Sequence, residues 1–593
     1  MRRLPLAALA AALPAALVVT ALPAAQAAPR ATDKVPTAVG TGGAVATVDP
    51  EATRVGLEVL RKGGNAVDAA VAAAATLGVT EPYSAGIGGG GFFVYYDAAG
   101  GEVHTIDGRE TAPRAMRADS FVENGTPIPF PDAVSSGLSV GVPGTPLTWQ
   151  RALDEWGSIS LAEALRPATQ VASRGFVVDE TFRSQTAANA ARFADFTSTA
   201  ELFLPGGQPP RVGTLFRNLD LAHTYRLMSQ RGLGVLYGGE LGREVVATVK
   251  NPPVAPNVTR TVRSGLMELS DLRAYTAPLR EPTVSSYRGL DVYGMGVPSS
   301  GGIAVGETLN ILEGYDLGAM DTTTALHAWF EASALAFADR NRYVGDVPGV
   351  PVAELLSQGF ADERRCQISL DAAAPKPVAP GVPDGVYAGC GTPATVGAAQ
   401  ADGVSTTHLS TADRWGNVVS YTLTIEATGG SGIVVPGRGF LLNNELTDFN
   451  FTPTQGTEPD PNLPGPGKRP RSSMSPTIVL QDGEPLLAVG SPGGATIITT
   501  VEQVLVGRLD LGLSLPEAVA APRASQRNTP NTNAEQAFLD AYGPALRDLG
   551  HSFAPPAEIG AVAALEFLPD GRVLAAAEPV RRGGGSAGVV RPG

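Results

Sequence analysis

The stretch Ser405-Thr406-Thr407-His408 holds residues that can do acyl chemistry, and it lies where the texture of the chain changes. A Pro/Ala/Gly-rich segment leads up to Gly403-Val404, and an alternating, strand-like run leaves from Thr407. A small residue before a hydroxyl residue suits an intramolecular N-to-O acyl shift, in which the Thr406 hydroxyl attacks the Ser405 carbonyl. Cleavage would then expose Thr406 as a new N-terminus. An N-terminal Thr combines nucleophile and base: its hydroxyl attacks, and its free α-amine, with a pKa near neutrality, takes the proton directly or through water. The same residues also read as a plain hairpin strand with polar outward side chains. Spacing alone leaves both readings open.

The flanking elements follow from local signals. Ala44 to Val48 alternates weakly and reads as a strand. Asp49-Pro50 opens a helix through Lys62 that stops at Gly63, and Asn65 caps a second from Ala66 to about Gly78. That helix is mostly Ala off its Val67/Val71/Ala74/Leu77 face, as expected for one buried on several sides. The run Gly86-Ile87-Gly88-Gly89-Gly90-Gly91 contains G-x-G-x-x-G, but a helix precedes it and a strand (Phe92–Tyr96) follows. The order is wrong for a dinucleotide fold, so the glycines mark a close backbone crossing. Helices are expected at Leu161–Ala172, Leu219–Gln230, Ile303–Glu313 and Thr323 to about Arg342. Residues 372–401 read as an exposed connector. After Thr406 the chain becomes sheet-rich: a hairpin turns at Asp413–Asn417 and returns through Val418–Thr424. Further strands are expected at Gly439–Asn444, Thr477–Leu480 and Pro485–Gly490, then a helix from Ala495.

The chain has 593 residues and a formal net charge of −14. It is too long for one simple core and too acidic to favour nucleic acid, whose phosphates need basic surface. Arg2-Arg3, the apolar run Leu4–Leu22 and the A-x-A site Ala25-Gln26-Ala27 read as a cleaved signal segment over residues 1–27. A mature protein beginning near Ala28, without a membrane anchor and exported outside the cell or into a periplasm, is expected. The two cysteines, Cys366 and Cys390, are a candidate disulfide in that compartment. The five His residues show no H-x-x-x-H spacing and no C-x-x-C is present, so no metal site and no cofactor are expected.

Several further stretches, taken with the Thr406 stretch, carry a resemblance. They are Gly64 to Ala72 (GNAVDAAVA), the glycine run before Phe92, Gly108-Arg109-Glu110-Thr111-Ala112-Pro113, Pro298-Ser299-Ser300-Gly301-Gly302 and Ala338-Asp339-Arg340. After Thr406 they continue with Leu441-Leu442-Asn443-Asn444, Lys468 to Met474 (KRPRSSM) and Gly490-Ser491-Pro492-Gly493-Gly494. Through them the chain resembles the γ-glutamyltranspeptidases (γ-glutamyltransferases) of the N-terminal-nucleophile hydrolases, from about Ala44 to the end. The resemblance implies an α/β (α+β) protein, a four-layer αββα sandwich. A large part (28–405) and a small catalytic part (406–593) would together form one intertwined heterodimeric unit.

It also implies roles. Thr406 would be the nucleophile, and Thr424 would orient its hydroxyl and amine. Arg109 would clamp the substrate α-carboxylate bidentately, as a planar guanidinium suits, with Ser472 and Ser473 donating to the same group. Asp448 would bind the α-ammonium, and the N–H groups of Gly493 and Gly494 would form an oxyanion hole, each donor worth about 3 kcal/mol. The chain departs from the pattern at Glu426 and Glu445, where many members carry Asn and Gln. Both remain candidate amine contacts, and with Asp448 they make an unusually acidic site in which like-charge repulsion raises at least one pKa. It departs again over Asn450–Gly467, a lid with a Tyr in some relatives but Pro/Gly-rich and Tyr-free here. A looser lid admitting larger acceptors is expected.

The implied activity is transfer of a γ-glutamyl group, from glutathione as donor, through a Thr406 ester to water or an amino acid or peptide amine. A glutaryl (cephalosporin-type) acylase is the second enzymatic reading, disfavoured by Asp448, which calls for an α-ammonium. An unprocessed exported binding protein is the third, and predicts one intact chain on a denaturing gel.

Overall fold

The structure is a computed structural model that describes Met1, residues 33–387, Gly389 and residues 405–593. The signal segment after Met1, Cys390 and the connector over 391–404 lie outside the described residues.

Thirteen strands form one continuous hydrogen-bonded system. They are β1 (Thr37–Thr47), β2 (Gly90–Asp97), β3 (Glu102–Asp107), β4 (Leu279–Arg280), β5 (Thr283–Tyr287) and β6 (Leu290–Gly294), then, beyond Thr406, β7 (Thr407–Asp413), β8 (Val418–Thr424), β9 (Thr477–Gln481), β10 (Glu484–Gly490), β11 (Ala563–Phe567), β12 (Val573–Ala577) and β13 (Ser586–Pro592). The principal helices are α1 (Pro50–Arg61), α2 (Ala66–Thr80), α3 (Leu161–Arg174), α4 (Leu219–Arg231), α5 (Gly301–Leu312), α6 (Thr322–Tyr343) and α7 (Thr496–Leu509).

The strands divide into two leaves that share β1. The C-terminal half of β1 lies between β7 and β13, continuing the order β4-β3-β2-β8-β7; its N-terminal half pairs with β12 and leads into β11-β10-β9-β6-β5. The switch occurs at a bulge where Gly42 and Gly43 take φ of +83° and +117°, conformations only glycine adopts cheaply. The leaves stack face to face: Ser410 on β7 donates to the Ala563 carbonyl of β11, and Ser420 on β8 to the Val489 carbonyl of β10, both at 3.2 Å. Helix α2 covers the outside of the first leaf, and α5 and α7 cover the second. The result is the expected αββα sandwich.

The caps explain the helix starts. Asp49 Oδ1 accepts the Ala52 N–H at 2.9 Å with Pro50 in the first turn. Asn65 and Asp68 form a capping box, and every residue of α2 is buried, which accounts for its all-round Ala. The glycine run is a backbone crossing: a Cβ on Gly89 would lie 1.9 Å from the Thr424 carbonyl oxygen, and one on Gly88 2.0 Å from that of Leu441.

Two expectations need correction. Residues 439–444 form no strand beyond one bridge, Val434 to Leu441: the backbone bonds of 440–442 go to the nearby segment 431–435, and Asn443 and Asn444 turn to Gly88 and Ile425, so no regular ladder runs on. The first part of the supposed exposed connector is pinned down. Lys376 is buried against Glu331 (2.6 Å), Asn528 brackets Val378 (2.7 and 2.9 Å), and Gly381 N–H donates to Asp339 at 2.5 Å. Polar partners from α6 and from the distant loop at Asn528 hold it, which local composition does not reveal. Cys366, next to it, is disulfide-bonded.

Candidate active site

The strand β7 begins at Thr407, so Thr406 stands at the mouth of the central hairpin, buried to 3% exposure. Its peptide bond to Ser405 is intact. The Thr406 hydroxyl is hydrogen-bonded to the carbonyl oxygen of Ser405. Thr424, the last residue of the partner strand β8, donates its hydroxyl to the same carbonyl at 3.3 Å, lies 3.4 Å from the Thr406 hydroxyl and accepts the Glu426 N–H at 2.8 Å. Ser405 Oγ is held by Ser84 Oγ (3.1 Å) and the Tyr83 carbonyl (3.3 Å), and Arg582 donates to the Thr406 carbonyl at 2.7 Å. The Ser405 carbonyl, the Thr406 hydroxyl and a second hydroxyl donor to that carbonyl thus stand together.

One pocket is lined by Ser405, Thr406, Thr424, Arg109, Glu426, Glu445, Asp448, Ser472, Ser473 and Gly494. Gly493 stands one residue behind this wall. Gly493 and Gly494 take φ of +139° and +58° ahead of α7, and among the described residues neither N–H has an acceptor. Donors in that state at a helix N-terminus suit a developing negative charge. Arg471, Met474 and Ile497 complete the lining and were not anticipated, nor were Ser84 and Arg582. Arg471 and Met474 lie within the KRPRSSM stretch without having been given a role, and for Ser84, Ile497 and Arg582 proximity alone selects them.

Arg109 follows β3, and its backbone is fixed on both sides: its N–H donates to Asp107 (3.0 Å) and its carbonyl accepts from Tyr275 (2.9 Å). The guanidinium donates to the carbonyls of Pro470 and Arg471 (3.1 and 3.0 Å), so the KRPRSSM stretch cradles it. Its remaining donors meet Glu445 and, at 2.5 Å, Asp448. Arg109 therefore sits against two of the three acidic residues, and the repulsion expected among them is offset by a cation in their midst. Behind it Glu110 is fully buried, with both carboxyl oxygens unpartnered among the described residues; burial pushes its pKa up to about 8 against the lowering effect of Arg109, so it is uncharged near neutrality.

Ser472 and Ser473 are placed by the Pro298–Gly302 motif. Ser300 donates to the Ser472 carbonyl through both N–H (2.8 Å) and Oγ (2.7 Å). Arg340 reaches Ser300 Oγ at 2.9 Å and Ser473 Oγ at 2.6 Å. Asn444 donates to Glu426, which takes φ +76°, a backbone conformation unusual for a long side chain. Asn443 ties Gly88 to Gly141 through carbonyl contacts of 2.7 and 2.9 Å. Residues 450–467 fold around Asp460, which accepts from Asn450, Thr454 and Asn462 at 2.8–2.9 Å. Asn462 then donates to the Asp448 carbonyl at 2.7 Å, so this segment is tied to the pocket wall at Asp448.

His408 is packed between the leaves against Gly490, with Thr422 and Ser410 at its two nitrogens (2.8 and 3.1 Å), and burial drives its pKa down to about 3. It is a neutral core residue and no base. His327, Glu331 and His551 bring potential ligand atoms within 4.8 Å of one another. Their partners leave no open coordination: the imidazoles meet each other at 2.7 Å, His327 meets the Ser369 carbonyl at 2.7 Å, and the Lys376 ammonium sits on Glu331.

Among the described residues no helix is long and apolar enough to cross a membrane. Comparison with known proteins matches residues 52–588 to the family model described as Gamma-glutamyltranspeptidase. A Glutathione hydrolase proenzyme of Bacillus subtilis (strain 168) is 37% identical over 93% of this chain and 92% of its own. An Acylase ACY 1 proenzyme of Pseudomonas sp. (strain V22) is 36% identical over 91% and 92%. Among solved structures, a cephalosporin acylase from Bacillus halodurans superposes with a TM-score of 0.81 at 28% identity, covering 96% of this chain and 99% of that one. The chain belongs to the gamma-glutamyltranspeptidase family.

Proposed function

We propose that this chain is an exported, self-cleaving γ-glutamyltransferase and glutathione hydrolase, with Thr406 as nucleophile. The observation that carries the reading is the coincidence, in one pocket, of a hydroxyl set on its own preceding carbonyl with a site for an α-amino acid head group. In the first reaction the Thr406 hydroxyl attacks the Ser405 carbonyl carbon, Thr424 stabilises the oxyanion, and the C–N bond breaks to give an ester with a free Thr406 amine. Water then hydrolyses the ester, leaving parts 28–405 and 406–593 as an interleaved pair.

In the second reaction the substrate enters as a zwitterion. Its α-carboxylate takes over Arg109, with Ser472 and Ser473 beside it, and its α-ammonium takes Asp448, Glu445 and Glu426. A zwitterion exchanges partners with the resident ion pairs and leaves the pocket's net charge unchanged. A glutaryl group would bring one more negative charge and nothing for the displaced carboxylates, which favours the γ-glutamyl reading over an acylase. The Thr406 hydroxyl then attacks the γ-carbonyl, its own amine takes the proton, and the N–H groups of Gly493 and Gly494 face the oxyanion. The amine leaving group departs protonated, and water or an acceptor amine resolves the ester.

The test has two arms. On a denaturing gel the purified protein yields two fragments, the smaller beginning Thr-Thr-His-Leu, and Thr406→Ala yields one. The mature protein hydrolyses a γ-glutamyl anilide at least tenfold faster than a glutaryl anilide. An uncut wild-type chain defeats the mechanism, and the reverse anilide preference defeats the substrate assignment.

A further inference from the structure

A second cavity, of about 490 Å³, is walled by segments that lead toward the Ser405–Thr406 peptide. Its walls come from the residues before β1, the start of α1, the end of α2, residues 175–181, Leu215 and Gly583. Two of those walls continue into the segments that grip the scissile peptide. Residues 81–84 present the Tyr83 carbonyl and Ser84 Oγ to Ser405, and Arg582, next to Gly583, holds the Thr406 carbonyl.

The lining is acidic. Asp33, Asp49, Glu51, Glu81, Asp179 and Glu180 face it, with Lys34 as the one cation on the wall. Some of these charges are matched. Glu51 is bound by Arg54 (2.9 Å) and Arg174 (2.8 Å), and Lys34 lies 3.4 Å from Asp179. Glu81 is not matched in this way. It is 8% exposed, and its Oε2 has no hydrogen-bond partner among the described residues. Burial pushes its pKa up to about 7, with Lys34 and Arg582 offsetting only part and Asp49 and Asp179 adding to it; Asp49 is pushed up to about 6, also by burial first. Pro50, Phe176, Val177 and Leu215 give the wall an apolar side, and Thr80 and Thr181 add hydroxyls. A volume within the range of small-molecule sites, with one apolar side and one uncompensated carboxyl, does not suit a bare metal ion.

We propose that this cavity binds a small organic cation, a guanidinium head on a short aliphatic tail. The head lies between Glu81, Asp49 and Asp179, where a planar donor fork can reach two carboxylates, and the tail lies on Phe176, Val177 and Leu215. Because two of the segments that wall the cavity run directly into the grips on the scissile peptide, occupancy alters the rate of cleavage at Thr406. That coupling rests on the self-cleavage reading; the binding does not.

The probe is butylguanidine, which stays protonated at neutral pH and so cannot serve as an acyl acceptor. Titration calorimetry at fixed ionic strength, with no γ-glutamyl donor present, is expected to give saturable one-to-one binding, weakened at least tenfold in Glu81→Gln and in Asp179→Asn. Asp179→Asn keeps the side-chain cap of helix Glu180–Ala194, so it remains informative if Glu81→Gln folds poorly. Absence of saturable heat overturns the proposal. So does binding of equal strength in both variants, which would place the cation on the acidic residues of the catalytic pocket. The time course of fragment appearance, with and without probe, should differ by at least threefold. An unchanged time course with intact binding overturns the coupling alone, and a wild-type chain that never cuts defeats the function proposed above while the calorimetry still decides the site.

Discussion

Thr424→Val removes one hydroxyl from the cut site and keeps the side chain's shape. In the intact chain that hydroxyl donates to the Ser405 carbonyl at 3.3 Å and accepts the Glu426 N–H at 2.8 Å. The two bonds matter differently. As Thr406 attacks, the Ser405 oxygen gains negative charge, so the donated bond strengthens at the transition state; loss of one such donor lowers rates by about 10²–10³, or roughly 3–4 kcal/mol. The accepted bond is present before and after. Its loss leaves a buried N–H unpaired, costing about 1–3 kcal/mol of fold stability and affecting cleavage only indirectly. The expected outcome is a chain that folds, melts a few degrees lower, and forms its two fragments with a half-time about 10²–10³ longer. Thr424→Ser restores the donor and most of the rate. A denaturing-gel time course on freshly purified protein measures it, with melting as the control. Cleavage of Thr424→Val within about threefold of wild type would refute the oxyanion role.

Three further outcomes follow from the same geometry. Arg340→Met removes the donors to Ser300 and Ser473; with each charge-assisted bond worth about 1.5–3 kcal/mol, kcat/KM for a γ-glutamyl anilide should fall by about 10²-fold, carried mainly by KM. Glu502 is fully buried, with Thr308 and Trp329 as donors at 2.8 and 2.9 Å, and burial outweighs those bonds and raises its pKa to about 7. A raised carboxyl pKa means the native state binds the extra proton, so the contribution is present below about pH 4.5 and is lost as pH rises toward 7. It is on the order of 3 kcal/mol, and Glu502→Gln should flatten the fall in Tm over that range. Asp460 is pushed up by burial but held lower overall by its hydrogen bonds from Thr454, Asn450 and Asn462. Asp460→Ala should speed amide exchange across residues 450–462 and raise KM through the Asn462 contact to Asp448.

Much of this could be read from the chain because the signals are local. Asp49 and Asn65 carry their helix starts within three residues, and the glycines at 88 and 89 announce a backbone crossing whatever crosses there. The site residues were legible through motifs, each a short run with its own spacing. What local reading missed depends on partners far away in sequence. Arg109 was expected to wait for a carboxylate; it instead lies against Glu445 and Asp448, more than 300 positions away. Residues 376–381 look like linker by composition, yet Glu331, Asp339 and Asn528 hold them. Residues 439–444 were expected as a strand, but their backbone bonds go to the nearby segment 431–435 and to Gly88 and Ile425 and form no regular ladder. The acidic second cavity draws its carboxylates from four separate stretches, none distinctive alone.

The interleaving of strands has a kinetic consequence. In the first leaf, β7 and β8, which follow Thr406, sit between β1 and β2, which precede it. While the chain is whole, their pairing is unimolecular and needs only loop closure. After the cut, the same pairing becomes a second-order encounter between two polypeptides, each lacking half of every inter-strand ladder at the junction. The mature enzyme is then a product that its own fragments do not readily rebuild. Once heat or denaturant has parted them, recovery should depend on concentration and compete with aggregation of unpaired edges, so that its lifetime is set by the rate of unfolding and not by an equilibrium with separated parts.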